Sequence, residues 1–445
     1  MTARVRFAPS PTGLLHVGNA RIAIASYLLA RRHGGRLLPR LDDTDRERSK
    51  PEYAEAIPRD LEWLGIRGDE VFRQSDRLDR YAAAAEALKR AGRLYPCFES
   101  EVELRAKREA RLARGRAPVY DRAMLKLTPE QCAAAEAGGK RPYWRFLLSD
   151  RAVEWKDLVL GPRHVKLPAV SDPVLIRADG TPLYTFTSAV GDLETAVTHV
   201  IRGEDHVTNT GVQIDLLAAL GGDPSRLHFA HLPLLTDTEG GKLSKRLDGL
   251  SLRSLRNDGV EPLAIASYLA QLGTSDDPEL LALDELAERF DPARFSPSPA
   301  RFDMRQLLAL NRRVLHDLPF AAVGERLPPG ATETFWLAVR GNLDLLSEAR
   351  GWWDVVAGTI VPPVIEGECE FLRTALELLP SEPWDERVWT TWTGALREAT
   401  GRKGRALFHP LRLALTGEER GPELAALLPL MGRARAGQRL EIAAC

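Results

Sequence analysis

The sequence is poor in cysteine and contains no long apolar run. Only four cysteines occur among its 445 residues, at irregularly spaced positions 97, 132, 369 and 445. This argues against a disulfide framework and predicts a reducing, cytoplasmic compartment. No run of about 18 apolar residues exists, so we expect no transmembrane helix. The N-terminus lacks the basic and apolar pattern of a signal peptide.

The chain also lacks an excess of charge of one sign. Lys and Arg total 61 against 62 Asp and Glu, which excludes a uniformly basic nucleic-acid-binding protein. Two local clusters are basic: residues 102–116 carry six Lys or Arg against two Glu, and residues 401–440 carry eight against three. Such runs are usually solvated helix faces, so by themselves they do not identify a partner.

The N-terminal pattern predicts a βαβ unit. Val5 and Phe7 alternate with polar residues as in a strand, residues 20–32 have helical spacing that a Gly-Gly pair ends, and residues 36–41 form a second strand. Parallel strands need such a helical crossover, so the pattern indicates a doubly wound, Rossmann-type parallel sheet.

The sequence patterns beyond residue 41 predict that the fold class changes near the middle of the chain. Residues 80–140 predict mostly helix, residues 197–201 and 232–235 predict strands, and residues 211–220 predict a helix between them. Beyond about residue 250 the strand patterns fade. We therefore expect an α/β domain with a helical insertion, followed by an all-α C-terminal region.

The loop from Pro9 to Asn19, PSPTGLLHVGN, lies between the first strand and the first helix. The free N–H groups and the dipole of a helix N-terminus attract anions, so phosphate is a natural ligand. Gly18 allows a ligand to approach the backbone, and His16 is placed to donate a hydrogen bond to a phosphate oxygen. A tight βα turn with a helix-facing histidine explains the same residues equally well.

A second loop, KLSKR at residues 242–246, is compact and cationic and follows the predicted strand at residues 232–235. Its charges suit a polyphosphate, although a solvated basic turn explains the loop taken alone. Both loops follow strands of an α/β domain, and open parallel sheets bind ligands at the carboxyl ends of their strands. Together the two loops favour a nucleotide site.

These loops resemble the HIGH and KMSKS motifs of class I aminoacyl-tRNA synthetases, and further segments resemble the bacterial-type glutamyl-tRNA synthetases. Those segments are RFAPSPTG at the N-terminus, RLDDTDRERS (40–49), DGTPLYTF (179–186), HVIRGEDHVTNT (199–210), SPARFD (298–303) and LFHPLRLALTG (407–417). Because their order and spacing agree over nearly the whole chain, the chain is identified as a member of that family.

The resemblance implies ATP-dependent ligation of L-glutamate to tRNA(Glu) through a glutamyl-adenylate, with release of pyrophosphate and AMP. No residue acts as a nucleophile, so catalysis consists of positioning and of stabilising negative charge on the phosphates. ATP is a substrate, and Mg²⁺ accompanies it without a dedicated protein cage. The implied partners are the acceptor and anticodon arms of tRNA, with no membrane, and the chain is expected to be a monomer.

The resemblance also assigns roles to residues. The catalytic positions are His16, Lys242, Ser244 and Lys245. The ATP-binding positions are Pro9, His16, Gly18, Asn19 and Lys245. The glutamate-binding positions are Arg6, Ala8, Ser10, Asp42, Tyr184, Ser188 and Arg202. The two arginines suit the side-chain carboxylate by their bidentate fork. Asp42 accepts the ammonium where relatives commonly have the longer Glu.

Many relatives hold a structural zinc ion with a Cys-x-Cys pair and later Cys or His ligands in the insertion. Here Cys97 stands alone in the matching stretch, and residues 120–125 contain neither Cys nor His. One thiol cannot build a tetrahedral site, so we expect no metal site and no structural zinc.

The resemblance divides the chain into five parts. Residues 1–80 and 186–250 form the catalytic domain, and residues 81–185 form a connective insertion that binds the acceptor arm. Residues 251–315 form a helical stem-contact region, and residues 316–445 form the α-helical anticodon-binding region.

Three alternative functions compete with this interpretation. An enzyme that glutamylates a tRNA base would lack the long helical region that follows the KLSKR loop. A glutaminyl-tRNA synthetase is the second alternative. A degenerate, non-catalytic tRNA-binding protein is the third, and the intact His16, Gly18, Lys242 and Lys245 argue against it. The sequence leaves open whether tRNA(Gln) is also charged and which residues read the anticodon.

Overall fold

The computed structural model describes residues 2–241, 243 and 250–444. The chain divides into two compact units. The first consists of Met1–Leu255 and Ile265–Asp303, and the second of Arg256–Ala264 and Met304–Cys445. The division into five parts stays a prediction.

All strands of the described residues belong to the first unit. They are β1 (Arg4–Phe7), β2 (Arg36–Leu41), β3 (Phe72–Arg73), β4 (Leu94–Cys97), β5 (Tyr143–Phe146), β6 (Ala152–Asp157), β7 (Gly161–Lys166), β8 (Val174–Ile176), β9 (His199–Gly203), β10 (His228–Leu232), β11 (Leu235–Thr236) and β12 (Ala300–Arg301).

Helices occur in both units, and the described residues of the second unit contain no strand. The helices are α1 (Val17–Arg32), α2 (Pro51–Trp63), α3 (Leu78–Arg90), α4 (Glu101–Ala113), α5 (Pro129–Ala137), α6 (Tyr184–Glu194), α7 (Val207–Ala219), α8 (Leu252–Asp258), α9 (Pro262–Gln271), α10 (Leu283–Arg289), α11 (Met304–Asp317), α12 (Phe320–Val323), α13 (Glu333–Val339), α14 (Ala349–Ala357), α15 (Cys369–Glu377), α16 (Val388–Thr400), α17 (Arg405–Thr416), α18 (Leu424–Met431) and α19 (Arg433–Ala443).

The main sheet has seven strands in the order β3-β2-β1-β9-β10-β6-β7. Neighbouring strands are parallel except for the antiparallel pair β6 and β7. The predicted doubly wound parallel sheet is therefore confirmed. The chain leaves β1 toward β2 on one side, while β9 lies on the other side, so a switch point lies between the carboxyl ends of β1 and β9. Ligands bind in the crevice at such a point.

The first helix begins earlier than the apolar spacing predicted, because a polar cap precedes the apolar pattern. The Nδ1 atom of His16 accepts a hydrogen bond from the Gly18 amide at 3.0 Å, and the Asn19 side chain accepts one from the His16 amide at 3.3 Å. At the other end, a Cβ on Gly35 would lie 2.2 Å from the Ala3 carbonyl oxygen. The tight return from α1 into β2 therefore requires glycine at this position.

The insertion contains strands as well as the predicted helices. Strands β4, β5 and β8 form a three-stranded antiparallel sheet, and β6 and β7 extend the main sheet. The sequence pattern missed β4, β5 and β8 because they have only three or four residues, and it missed β7 because its sequence, GPRHVK, is mostly polar. The strand predicted at residues 232–235 is two strands, since Pro233 has no N–H group to continue the ladder. Of these, β11 pairs with β12, so a short strand also follows residue 250.

Two findings concern the composition. Cys97 and Cys132 are free thiols, whereas Cys369 is disulfide-bonded, so the cysteine spacing did not reveal this bond. Among the described residues, no helix combines the length and the apolar character needed to cross a membrane.

Two tryptophans of the second unit belong to its core. Trp336 and Trp392 are fully buried. Their indole N–H groups donate to backbone carbonyls, of Leu318 at 2.8 Å and of Ala375 at 2.9 Å. A buried indole N–H needs such a partner, and because both rings are fully buried, neither has a face open to a ligand.

A buried amide in the same unit gives a test of stability. The Asn311 side chain in α11 accepts from the Glu261 amide at 2.7 Å and donates to the carbonyls of Gly259 at 3.3 Å and Asp344 at 2.7 Å. We expect Asn311→Ala to lower the free energy of unfolding by about 2 kcal/mol, because it leaves backbone groups buried without partners. Urea unfolding followed by circular dichroism measures the change.

The matched control is Gln306→Ala, which removes an exposed amide from the same helix. Its effect should stay within about 0.5 kcal/mol. Equal losses for both variants would contradict the structural role of the buried amide.

Candidate active site

A cavity of about 360 Å³ lies at the carboxyl ends of β1, β9 and β10. Its lining combines the loop after β1, the start of α1 and the ends of β9 and β10. Most of the positions predicted for ATP and many of those predicted for glutamate line it: Arg6, Ala8, Pro9, His16, Gly18, Asn19, Tyr184 and Arg202. The structure therefore brings residues almost 200 positions apart into one crevice at the switch point.

The other predicted glutamate positions lie beside this cavity. Ser10 and Asp42 line a second cavity of about 390 Å³, and Tyr184 lines both. Ser188 is fully buried and accepts a hydrogen bond from Arg40 Nη2 at 2.9 Å, so it helps to hold the Arg40 side chain in place. A larger cavity of about 810 Å³ lies farther out, between residues 44–47 and α3.

The KLSKR loop falls mostly outside the described residues. Lys242, Ser244 and Lys245 are among the residues left undescribed, so their roles stay predictions. Leu243 is described, is buried, and lines the 360 Å³ cavity.

His16 is the N-cap residue of α1, and its two ring nitrogens have defined hydrogen-bonding roles. Its Nδ1 atom accepts from the Gly18 amide, so the proton of a neutral ring is on Nε2. Burial lowers the pKa of His16, which keeps the ring neutral near pH 7. The ring therefore presents an N–H donor from Nε2, and that donor suits a phosphate oxygen.

A series of ion pairs between arginines and aspartates, called the charge chain below, holds Arg6 in place. Asp42 accepts from Arg40 Nε at 2.9 Å, and Arg40 Nη1 donates to Asp192 Oδ1 at 2.6 Å. The same Asp192 oxygen lies 3.5 Å from Arg6 Nε. All four side chains are buried. Asp42 and Asp192 raise the pKa of Arg40 although burial opposes this, so Arg40 carries its charge.

Both ends of this charge chain have free polar atoms. Among the described residues, Arg6 Nη2 and Asp42 Oδ2 are buried without a hydrogen-bond partner. Buried polar groups nearly always have partners, and an exception needs an explanation. A ligand with a carboxylate and an ammonium group would satisfy both atoms.

Arg202 supplies the second guanidinium group of the cavity. Its Nη2 donates to the Thr210 hydroxyl at 2.5 Å, its Nη1 to the Tyr184 hydroxyl at 3.5 Å, and its Nε to His231 at 3.4 Å. A guanidinium group has five N–H donors, so one remains on each Nη atom. Burial lowers the pKa of Arg202, and a bound anion would offset that cost.

The residues that hold the site in place were not predicted from the sequence. Arg40 and Asp192 were not assigned roles, although Arg40 lies near the end of β2, only two positions before Asp42. Arg21 was also missed. It is buried in α1 and donates to the carbonyls of Pro233 at 2.7 Å and Leu272 at 2.9 Å. Burial lowers the pKa of Arg21 to about 10. A charge within an apolar helix pattern was the available signal.

The residues at the place of the relatives' zinc site do not fit a metal ion. The Cys97 sulfur lies 3.7 Å from the Tyr120 hydroxyl, which donates to Glu99 at 2.5 Å. The Lys107 ammonium group forms ion pairs with Glu99 and, at 3.2 Å, with Asp121. A lysine therefore supplies the positive charge there. In the described ranges, no group of three His, Cys, Asp or Glu residues could hold a metal.

Two family models match the chain. The catalytic-domain model of the class I tRNA synthetases (E and Q) matches residues 2–309, and an anticodon-binding-domain model matches residues 365–444. The chain therefore belongs to the class I tRNA synthetases of the E and Q group.

Individual relatives show to which enzymes of the E and Q group the chain is similar. The chain is 68% identical to a glutamate–tRNA ligase 2 of Granulibacter bethesdensis, with 98% of each chain covered. It is 65% identical to one of Gluconacetobacter diazotrophicus, with 99% and 100% covered. A crystal structure of a glutamate tRNA ligase from Elizabethkingia meningosepticum in complex with its amino acid is 28% identical, with 100% and 99% covered and a TM-score of 0.84. These matches place the chain among the bacterial-type glutamyl-tRNA synthetases and confirm the resemblance.

The packing of Gly18 against His16 gives a test of the site. A Cβ on Gly18 would lie 2.8 Å from His16 Cε1 and 3.0 Å from Nδ1. We expect Gly18→Ala to displace the imidazole and to lower the rate of ATP–pyrophosphate exchange about 100-fold, the effect of misplacing a catalytic group by about 1 Å.

Gly13→Ala is the matched control, because a Cβ on Gly13 in the same loop meets nothing within 4 Å. This variant should exchange at the rate of the unmodified chain. A Gly18→Ala variant that is as active as the control would show that the position of His16 does not limit the reaction.

Proposed function

We propose that this chain ligates L-glutamate to tRNA(Glu). The α-carboxylate of glutamate attacks the α-phosphate of ATP, pyrophosphate leaves, and the glutamyl group moves from the adenylate to the terminal ribose of tRNA, releasing AMP. One observation carries the proposal: the buried guanidinium groups of Arg6 and Arg202 line the same 360 Å³ cavity as His16. An anion-selecting pair and a phosphate donor thus share one crevice.

The arginine pair selects an acidic amino acid. Arg6 contributes its free Nη2 edge, and Arg202 contributes its two remaining Nη donors. Two guanidinium groups favour a carboxylate over a neutral amide, because charge-assisted hydrogen bonds are roughly twice as strong as neutral ones. Asp42 accepts the ammonium group of the substrate through its free Oδ2, and Tyr184 lies between the two cavities. Ala8 and Ser10 shape the space between them, and Ser188 acts through Arg40.

The phosphates of ATP lie against the start of α1. His16 donates from Nε2, Gly18 and Asn19 offer the helix N-terminus, and Pro9 shapes the loop. Of the catalytic positions outside the described residues, Lys245 stabilises the charge that develops on the leaving pyrophosphate, and Lys242 and Ser244 assist it. Mg²⁺ accompanies ATP, since it retains several waters and binds mainly through substrate phosphates.

The basic clusters contact tRNA through its phosphates. Most of the first cluster lies on α4, which has no buried residue, so its cations other than Lys107 are offered to the acceptor arm. In the second cluster Arg439 is buried and donates to the Leu415 carbonyl, so the remaining cations serve the anticodon arm. The chain works as a cytoplasmic monomer without structural zinc, with Lys107 in place of the metal charge.

ATP–pyrophosphate exchange and aminoacylation with the purified chain test this function. Exchange is measured with glutamate, with glutamine and without amino acid, each with and without tRNA, because relatives often require tRNA for activation. Purified tRNA(Glu) and tRNA(Gln) are then charged separately. We expect glutamate-dependent exchange and an alkali-labile glutamyl ester on tRNA(Glu). The reaction with tRNA(Gln) shows whether the chain also charges that tRNA with glutamate.

The competing functions give different results. Exchange with glutamine alone would identify a glutaminyl-tRNA synthetase. Glutamate attached to an internal nucleoside would identify a base-modifying enzyme. Binding of tRNA without any exchange would identify a non-catalytic protein, and each of these outcomes would overturn the proposal.

Asp42 predicts a pH dependence. Burial raises the pKa of Asp42, although Arg40 and Arg6 oppose the shift. Asp42 therefore takes up a proton at a higher pH than an ordinary aspartate and loses its hold on the substrate ammonium as the pH falls. We expect the KM for glutamate to rise as the pH is lowered. Asp42→Asn should raise this KM about tenfold or more and remove its pH dependence.

Asp42→Glu is the control, since it retains the charge that Arg40 and the ammonium group need. Its KM for glutamate should stay near that of the unmodified chain, and the KM for ATP should not change in either variant. An unchanged KM for glutamate in Asp42→Asn would place the ammonium group elsewhere.

A further inference from the structure

A buried hydrogen-bond relay lies behind Arg202, outside the residues assigned above. It consists of Asp157 at the end of β6, His231 on β10 and Thr210 on α7, and all three side chains are buried. None of them lines the 360 Å³ cavity. We infer that this relay is a positioning device that sets the direction of the Arg202 guanidinium group and thereby the affinity for the glutamate carboxylate. The inference rests on the proposed function.

The carboxylate of Asp157 fixes the start of the relay. Its Oδ1 accepts from the backbone amides of His231 at 3.1 Å, Val159 at 3.0 Å and Leu160 at 2.9 Å. Its Oδ2 lies 2.5 Å from His231 Nδ1. These hydrogen bonds lower the pKa of Asp157 against the effect of its burial. The group is therefore an ionised acceptor, and His231 Nδ1 must carry the proton.

The proton on Nδ1 determines which nitrogen of His231 donates a hydrogen bond and which accepts one. Burial lowers the pKa of His231, although Asp157 opposes the shift, so the ring is neutral and Nε2 is an acceptor. The Thr210 hydroxyl lies 2.7 Å from this Nε2. The same hydroxyl lies 3.2 Å from the His206 carbonyl oxygen, and since Nε2 and this carbonyl are both acceptors, Thr210 is the donor and its oxygen lone pairs remain for Arg202.

Arg202 completes the relay. Its Nη2 donates to the Thr210 oxygen at 2.5 Å, and its Nε lies 3.4 Å from His231 Nε2. The Nη2 and Nε edges of the guanidinium group therefore both donate to buried acceptors. The free Nη donors keep one direction, so the carboxylate meets a group that needs no reordering.

The pairing of β6 with β10 brings Asp157 into the relay. Asp157 lies in the segment assigned to the tRNA-binding insertion, yet it pairs in register with Phe229 of β10. The insertion therefore contributes a side chain that orders the amino-acid site. A purely structural ion pair would not need to end on a hydroxyl that contacts Arg202.

The test compares Thr210→Val with Thr210→Ser. Valine has nearly the same shape but removes the hydroxyl, so we expect the KM for glutamate to rise at least tenfold, the effect of losing a hydrogen bond to a charged group. The KM for ATP and the kcat at saturating glutamate should change less than twofold. Thr210→Ser restores the hydroxyl and should return the KM for glutamate to within about threefold of the unmodified chain.

Asp157→Asn tests the direction of the hydrogen bonds at the opposite end of the relay. The amide keeps an acceptor for the backbone amides, but it can present N–H to His231 Nδ1. His231 Nε2 then carries the proton and competes with Arg202 for the Thr210 oxygen. We expect the same rise in the KM for glutamate as in Thr210→Val, and no further rise in the double variant, because both changes break one relay.

Two controls separate this inference from the proposed function. If the unmodified chain does not activate glutamate, or if Arg202→Ala leaves the KM for glutamate unchanged, the assignment of the site fails. If Arg202→Ala raises that KM while Thr210→Val and Asp157→Asn lower only the unfolding temperature, the site stands and the relay is overturned as a positioning device.

Discussion

The ion pairs of Asp192 are the interactions on which the site depends. One carboxylate oxygen receives Arg40 Nη1 at 2.6 Å and lies 3.5 Å from Arg6 Nε. Two buried guanidinium groups would repel each other without it, and an unpaired buried charge is very costly. With Asp192 between them, Arg40 can hold Asp42 while Arg6 keeps one edge free. A cation and an anion thus lie ready for a zwitterionic ligand.

The parallel sheet gives this charge chain its function. Arg6 and Arg202 lie near the carboxyl ends of neighbouring strands, β1 and β9, at the switch point where the crevice opens. The α1 N-terminus points toward the same crevice, so His16 and the arginines can act on one ligand. Catalysis by positioning needs such rigid support, and strands and helix ends provide it better than loops.

Local patterns in the sequence predicted the first part of this arrangement. The alternation around Val5, the spacing of residues 20–32 and the strand at residues 36–41 revealed the βαβ unit, and the resemblance pointed to Arg6 and Arg202. The supporting residues could not be predicted in the same way. Asp192 and Arg6 are far apart in the chain, and their contact depends on how α6 packs on the sheet. Asp157 is the last residue of β6, and a polar residue at a strand end gives no sign in the sequence that it is buried.

A crystal structure of the chain with a non-hydrolysable glutamyl-adenylate analogue would show directly whether Arg6, Arg202 and Asp42 hold the substrate. If they do, the side-chain carboxylate lies about 3 Å from Arg6 Nη2 and from the free Nη donors of Arg202, with the ammonium group beside Asp42 Oδ2. The phosphate is expected near His16 Nε2. A bound analogue whose carboxylate lies elsewhere, with Arg6 Nη2 still unpartnered, would contradict these roles.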